Sequence, residues 1–317
     1  MGNPKKKKIR TTEENMFERI VKSKQGKYDR LRLERLKREE TKHIDCININ
    51  TFNDVNVKGL NNYFPVWEVI FFRAFSGLIV SFILIGYFGF NKIKTKKPVR
   101  HFIRAFSAVG CVVFYFFGLK YLYLSENVAI VHSAPILAAV LAVPILGEKL
   151  GIKRSTAIVL GFIGVIIIVK PGSNFFKLVS LLTFISAIFM AAVYLSTRSL
   201  MNTESSVAII FYYSVALLIT SLFFFPKDFV LPSLIQLISL MSLGIVGSLG
   251  HFFLSQAAKF ADVVVISPFE YSSFIFVGIM GYYFYDEVPG ISIILGGLLI
   301  IFSGVYIAYR EHMLEER

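Results

Sequence analysis

Four ionisable side chains lie well inside long apolar runs: Arg73 in VIFFRAF, His132 in VAIVHSAP, His251 in GSLGHFF and Glu270 in ISPFEYSS. A charge at the centre of a bilayer costs roughly 3 kcal/mol even on insertion scales, so each needs a partner or a wet cavity. The Glu270 stretch is the most informative. Pro268 lacks an amide hydrogen and frees the carbonyl near Val264. A free carbonyl beside a carboxylate can hold a proton or a cation, as broken helices do for ligands and coupling ions. Glu270 is expected either to carry a coupling proton or to pair with a cationic ligand, with Tyr271, Ser272 and Ser273 adding hydrogen bonds. The plainer alternative is a glutamate held by a neighbouring helix for structure alone. Arg73 would bind an anionic group, hold Glu270, or serve as a fixed structural pair. His132 precedes Ser133 and Pro135, so it repeats the proline-bearing arrangement, and is expected to be neutral and hydrogen-bonded. His251 is expected to approach Glu270 in depth from the adjacent span. Pro135 and Pro268 are the expected kinks.

Around these residues the chain is a series of apolar runs. The 317 residues are 55% hydrophobic, with a mean hydropathy of +0.63. Beyond residue 64 the runs are long enough, at 1.5 Å per residue, to cross a ~30 Å hydrocarbon core as helices. Nine spans are expected, at about 65–89, 102–123, 127–147, 154–170, 176–197, 206–225, 233–257, 262–285 and 290–309. If the 90–104 link is inside, the inner links and tail hold 13 Lys and Arg against 3 in the outer links. That asymmetry places the C-terminus in the cytoplasm. It also explains the net charge of +13 without nucleic acid. The two cysteines, Cys46 and Cys111, imply no disulfide or metal framework. No zinc spacing, Walker loop or nucleophile elbow is present, so no catalytic residue, metal or cofactor is expected. GIVGSLG, GFIG and GIMG read as sites of close helix packing.

The runs repeat. SENVAIVHSAP, GEKL and GFIGVIII are followed later by FADVVVISPFEY, YDEVP and GGLLIIFSGVYI. Glu148 and Glu287 fall at equivalent links on opposite sides of the membrane, which makes the halves inverted, as in carriers. Residues 1–58 differ: 16 Lys and Arg stand against 9 Asp and Glu. This region reads as a basic segment, partly helical or disordered, standing where a first span would be. The expected organisation is that segment, a four-span repeat at 59–170, a five-span repeat at 176–310, and a cytoplasmic tail at 311–317.

The order NDVNVKGLNNYFPVWEVIFFRAF, SENVA, GEKL, SPFEYSS, YDEVP and the glycine-rich last span resembles the drug/metabolite transporter superfamily, over residues 53–310. More narrowly, it resembles ten-span carriers built from two EamA repeats. The resemblance implies an all-α polytopic membrane protein with two inverted EamA-like repeats, 4+5 spans here against 5+5 in the family. It implies secondary transport of a small metabolite (an amino acid, S-adenosylmethionine, riboflavin or a drug) by alternating access, with a proton as candidate coupling ion. The lipid bilayer and the small-molecule substrate are the expected partners, with a homodimer also admitted and nucleic acid not. The expected location is the bacterial inner membrane. Two competing readings are a defective or accessory membrane subunit, because the first helix is replaced, and a membrane enzyme, against which the scattered polar groups speak. Glu270→Gln is expected to remove the pH dependence of transport; normal transport by this variant at every pH would end the proton-carrier role.

Overall fold

Helix ends follow local chemistry. In the computed structural model, which describes residues 51–146, 152–170, 178–201, 203–257 and 272–315, the described part of each span region is largely helical and no strand occurs among the described residues. Residues 51–60 form α1. α2, Val66–Phe88, follows Pro65 and stops at Gly89, whose φ of 90° suits glycine. α3, Pro98–Tyr121, has proline first, where a missing amide hydrogen costs nothing. The next span is broken into α4, Leu124–Val131, and α5, Ala134–Leu146, by His132 and Ser133. Pro135 occupies the second position of α5, and Ser133 Oγ turns back to donate to the Ile130 carbonyl at 2.7 Å. There follow α6, Ile152–Val169; α7, Leu178–Met201; α8, Ser206–Phe223; α9, Leu234–Ala257; α10, Ser272–Tyr285; and α11, Ile291–Glu315. α8 is capped by Ser205, whose side chain accepts from Val207 N at 3.2 Å.

Among the described residues, six helices are long and apolar enough to span a membrane, with three shorter apolar ones beside them. Large apolar side chains such as Phe82, Ile83, Phe223, Ile235 and Tyr283 point outward. Water would penalise so continuous an apolar surface, whereas hydrocarbon is its natural solvent. The chain is an integral multi-pass membrane protein.

Helix pairing carries the imprint of two inverted repeats. α6 and α11, the last spans of the two repeats, pack on each other, and α2 packs on α8, its counterpart. The pair α2–α9 is mirrored by α8–α3. The pair α3–α7 has its mirror in α9 and α1, where Asn56 Nδ2 donates to Ser239 O and Ser242 Oγ at 3.2 Å. α1 thus takes the position of a first span, and the boundary expected at 58/59 falls inside it. Its Val55, Val57 and Leu60 are buried in the main apolar core with Val69, Phe116 and Leu243. The preceding residues lie outside the described ones.

Glycines set the closest approaches. A Cβ on Gly164 of α6 would lie 2.6 Å from Gly296 O, and one on Gly296 of α11 would lie 2.5 Å from Gly164 O. Backbone meets backbone there, so neither side can yield. In GIVGSLG, a Cβ at Gly244 would strike the Arg73 carbonyl oxygen on α2. GIMG differs from the expectation of close packing: Gly278 faces open space and Gly281 makes only ordinary contacts. Gly296→Val is expected to destabilise by about 1–3 kcal/mol through overpacking, read as a lower unfolding temperature in detergent. Gly278→Ala should leave that temperature unchanged or raise it.

Candidate functional site

The polar interior begins with a carboxylate that the helical register of α1 turns inward. Asp54 accepts a hydrogen bond from the Tyr115 hydroxyl of α3, and the Arg73 guanidinium of α2 acts on it electrostatically. Arg73 is 9% exposed. Its Nη1 donates to Leu243 O at 3.4 Å, and its guanidinium lies 5.4 Å from the centre of the Phe116 ring. A side chain at position 247 would collide with it, since a Cβ there would lie 2.5 Å from Nη2. Gly247 therefore makes room for the guanidinium, a finer role than helix packing alone. Asp54, Cys111, Tyr115, His132 and His251 are half-buried.

The residues expected from sequence divide into three groups. Arg73 and His251 share this interior, because the charges of Arg73 and Arg104 both reach the His251 ring. His251 packs edge-on against Tyr213 of α8, with centroids 4.8 Å apart. His132 sits at the break between α4 and α5 and exchanges a 2.8 Å hydrogen bond with Ser273 Oγ of α10, linking the two repeats. Ser272 begins α10. Glu270, Tyr271, Pro268 and the Ser272 side chain, like Glu148, lie outside the described residues. Asp54, Tyr115 and Arg104 were not among the expected site residues. Arg104 was counted with a basic link, but α3 begins at Pro98 and buries it to 1% exposure. The lysine-proline pair at 97–98 is the signal that fixes this start. Asp54 has a fainter signal, the inward apolar positions Val55, Val57 and Leu60 set among asparagines.

Both ends of the bundle are tied by polar contacts. At the end carrying the basic links, His101 Nε2 lies 3.3 Å from Glu204 Oε2, and Lys96 N donates to Glu204 Oε1 at 3.3 Å. Arg100 and Lys97 add bonds to Ser199 O and Thr203 Oγ1. At the opposite end Lys58 Nζ pairs with Glu287 Oε1 at 2.7 Å and also donates to Leu122 O. Glu287 Oε2 accepts from Leu124 N at 2.7 Å, and Tyr285 donates its hydroxyl hydrogen to Val55 O. Glu68 Oε2 accepts from Val230 N at 3.2 Å. The contacts of Lys58, Tyr285 and Glu287 join α1 and α4 of the first repeat to the end of α10 and the α10–α11 link of the second.

A helical bundle of two inverted repeats, with buried charged groups and polar ties at both ends, is the architecture of a membrane carrier. The sequence matches the EamA-like transporter family over residues 51–170 and 177–310, and the chain belongs to that family. It is similar to the S-adenosylmethionine uptake transporter of Rickettsia conorii, 30% identical over 82% of this chain and 88% of that protein. The counterpart in Rickettsia prowazekii is 29% identical over 83% of this chain and 89% of its own length. The pseudopaline exporter CntI of Pseudomonas aeruginosa is 25% identical over 79% and 89%. A solved crystal structure covers 86% of this chain and 99% of its own, with a TM-score of 0.59 at 16% identity, a likeness of fold. The protein is a small-molecule transporter and not an enzyme.

Removing one partner of a buried ion pair strands the other charge and typically costs about 3–5 kcal/mol. Lys58→Met is therefore expected to lower the unfolding temperature, and the double variant Lys58→Met/Glu287→Gln to recover much of the loss. Additive losses in the double-mutant cycle would show that the two side chains are not coupled.

Proposed function

We propose that this protein is a secondary carrier that takes up a small zwitterionic metabolite of the S-adenosylmethionine type. The observation that carries this reading is the presence of Asp54 beside Arg73 and Tyr115 in one enclosed interior. A solute with both signs of charge finds a counter-charge for each, and an aromatic hydroxyl between them. A fully neutral or purely anionic solute would make no use of the Asp54 carboxylate. The names of the Rickettsia relatives support the substrate class, and their higher identity supports uptake over export.

The two tied ends support alternating access. With the basic end assigned to the cytoplasm by its Lys and Arg, the Lys58–Glu287 contact closes the outer mouth and the His101–Glu204 contact closes the inner one. Opening either mouth requires breaking one set while the other holds, and the two inverted repeats supply equivalent hinges for the two motions. Glu270 enters as the candidate carrier of a coupling proton on sequence grounds alone. The membrane is the bacterial inner membrane, with the C-terminus cytoplasmic.

The test is uptake of radiolabelled S-adenosylmethionine into vesicles bearing the full chain, with and without an imposed proton gradient. Accumulation above a protein-free control is expected, together with at least a ~10-fold loss in Asp54→Asn, equivalent to about 1.4 kcal/mol. No uptake by folded protein would overturn the substrate. Uptake unaffected by Asp54→Asn would overturn the site.

A further inference from the structure

A second buried charged group has no counter-charge among the described residues. Arg104 is among the most deeply buried large side chains in the protein, and its Nε donates to Thr197 Oγ1 of α7 at 2.7 Å. That bond pins the guanidinium plane. Its Nη1 is buried with no hydrogen-bond partner, and among the described residues no carboxylate forms an ion pair with it. Facing it is Tyr213 of α8, close enough to interact electrostatically, whose own buried hydroxyl also lacks a partner. The His251 ring packs on Tyr213, and one turn further along α9 the buried Ser255 Oγ is unpartnered too.

Unmet hydrogen-bond capacity on buried groups is rare, because each desolvated donor costs free energy unless something meets it. Here a fixed guanidinium and a phenol from two helices leave donors unused in one place. Both can donate to the same oxyanion, and a guanidinium fork matches a carboxylate in shape as well as charge. Asp54 is engaged by Tyr115 and Arg73, and Arg104 is not among the groups that act on it. The described groups here therefore carry more positive than negative charge, and because Arg104 Nη1 and the Tyr213 hydroxyl are both sealed from the surface, an anion reaches them only as the helices part during transport.

We infer that Arg104 and Tyr213 form an anion subsite that receives the carboxylate of the transported solute. This rests on the zwitterion reading above and deepens it: the cationic part belongs near Asp54, and the carboxylate belongs on the α3–α8 side. The arrangement selects amino-acid-headed solutes over their amides or decarboxylated forms.

The experiment compares L-methionine with L-methioninamide, which differ only at the carboxylate. Thermal unfolding of the purified full-length protein in detergent reads binding without requiring transport. Methionine should raise the wild-type unfolding temperature and methioninamide should not. Arg104→Gln should abolish the shift. Arg104→Lys and Tyr213→Phe should each weaken methionine binding about 10-fold, close to 1.4 kcal/mol, and these two keep the test decisive if Arg104→Gln does not fold. Equal shifts by both ligands, no shift by methionine in wild type, or unchanged methionine binding in the variants would each overturn the subsite. S-adenosylmethionine uptake is measured separately. Arg104-dependent methionine binding without that uptake keeps the subsite and sinks the substrate reading, whereas uptake with an unaltered KM in Arg104→Lys and Tyr213→Phe does the reverse.

Discussion

Hydrocarbon offers no hydrogen bonds, so every polar atom carried into a spanning helix must be met inside the protein. That constraint organises this molecule. Most inward hydroxyls satisfy it locally: Ser76, Ser81, Ser196 and Thr220 each donate to a carbonyl three or four residues back on their own helix. Asparagines do so between helices, as Asn127 does by accepting from Thr183 Oγ1 at 2.7 Å and donating to Tyr115 O. Side chains that need more than a local carbonyl are few, and they gather. Asp54, Arg73, Tyr115, Arg104, Tyr213 and His251 come from α1, α2, α3, α8 and α9, and all address the same interior. A bundle selected only for packing would have filled these positions with leucine. Their occurrence between the tied ends is what the proposed solute pathway rests on.

Much of this was legible in the sequence, for reasons that are physical rather than statistical. Apolar runs report spans because insertion energy is nearly additive along a helix. The repeat was legible because proline breaks and glycine contacts impose backbone demands that only those residues meet. Pro135 beside the His132–Ser133 break and Gly164 against Gly296 are both of this kind. What eluded the sequence reading depends on register and on tertiary context. Arg104 looked like part of a basic link because six cationic residues lie between 92 and 104. Starting the helix at Pro98 moves it one turn deeper, and burial then reverses its meaning. Asp54 sits in a stretch whose asparagines and charges lower its hydropathy. Only the contacts of Asn56 with α9 and of Val55 and Val57 with the core show that this stretch belongs inside the bundle.

α1 also relates the interior to the mouth. Asp54 and Lys58 are one helical turn apart, so they project from the same face of α1. Asp54 reaches Tyr115 and Arg73; Lys58 reaches Glu287 in the link between α10 and α11. A helix is stiff over one turn, and a shift that optimises one contact displaces the other. Val55, between them, ties the same segment to the second repeat by accepting from the Tyr285 hydroxyl. Three attachments within five residues thus join Asp54 of the first repeat to the Lys58–Glu287 contact with the second. A charged solute that replaces Arg73 or Tyr115 as a partner of Asp54 changes the forces on α1, and α1 holds one side of the Lys58–Glu287 contact. On the proposed reading, occupancy of the site and closure of the mouth are linked through one stiff helical turn, which is the minimum that coupled alternating access requires.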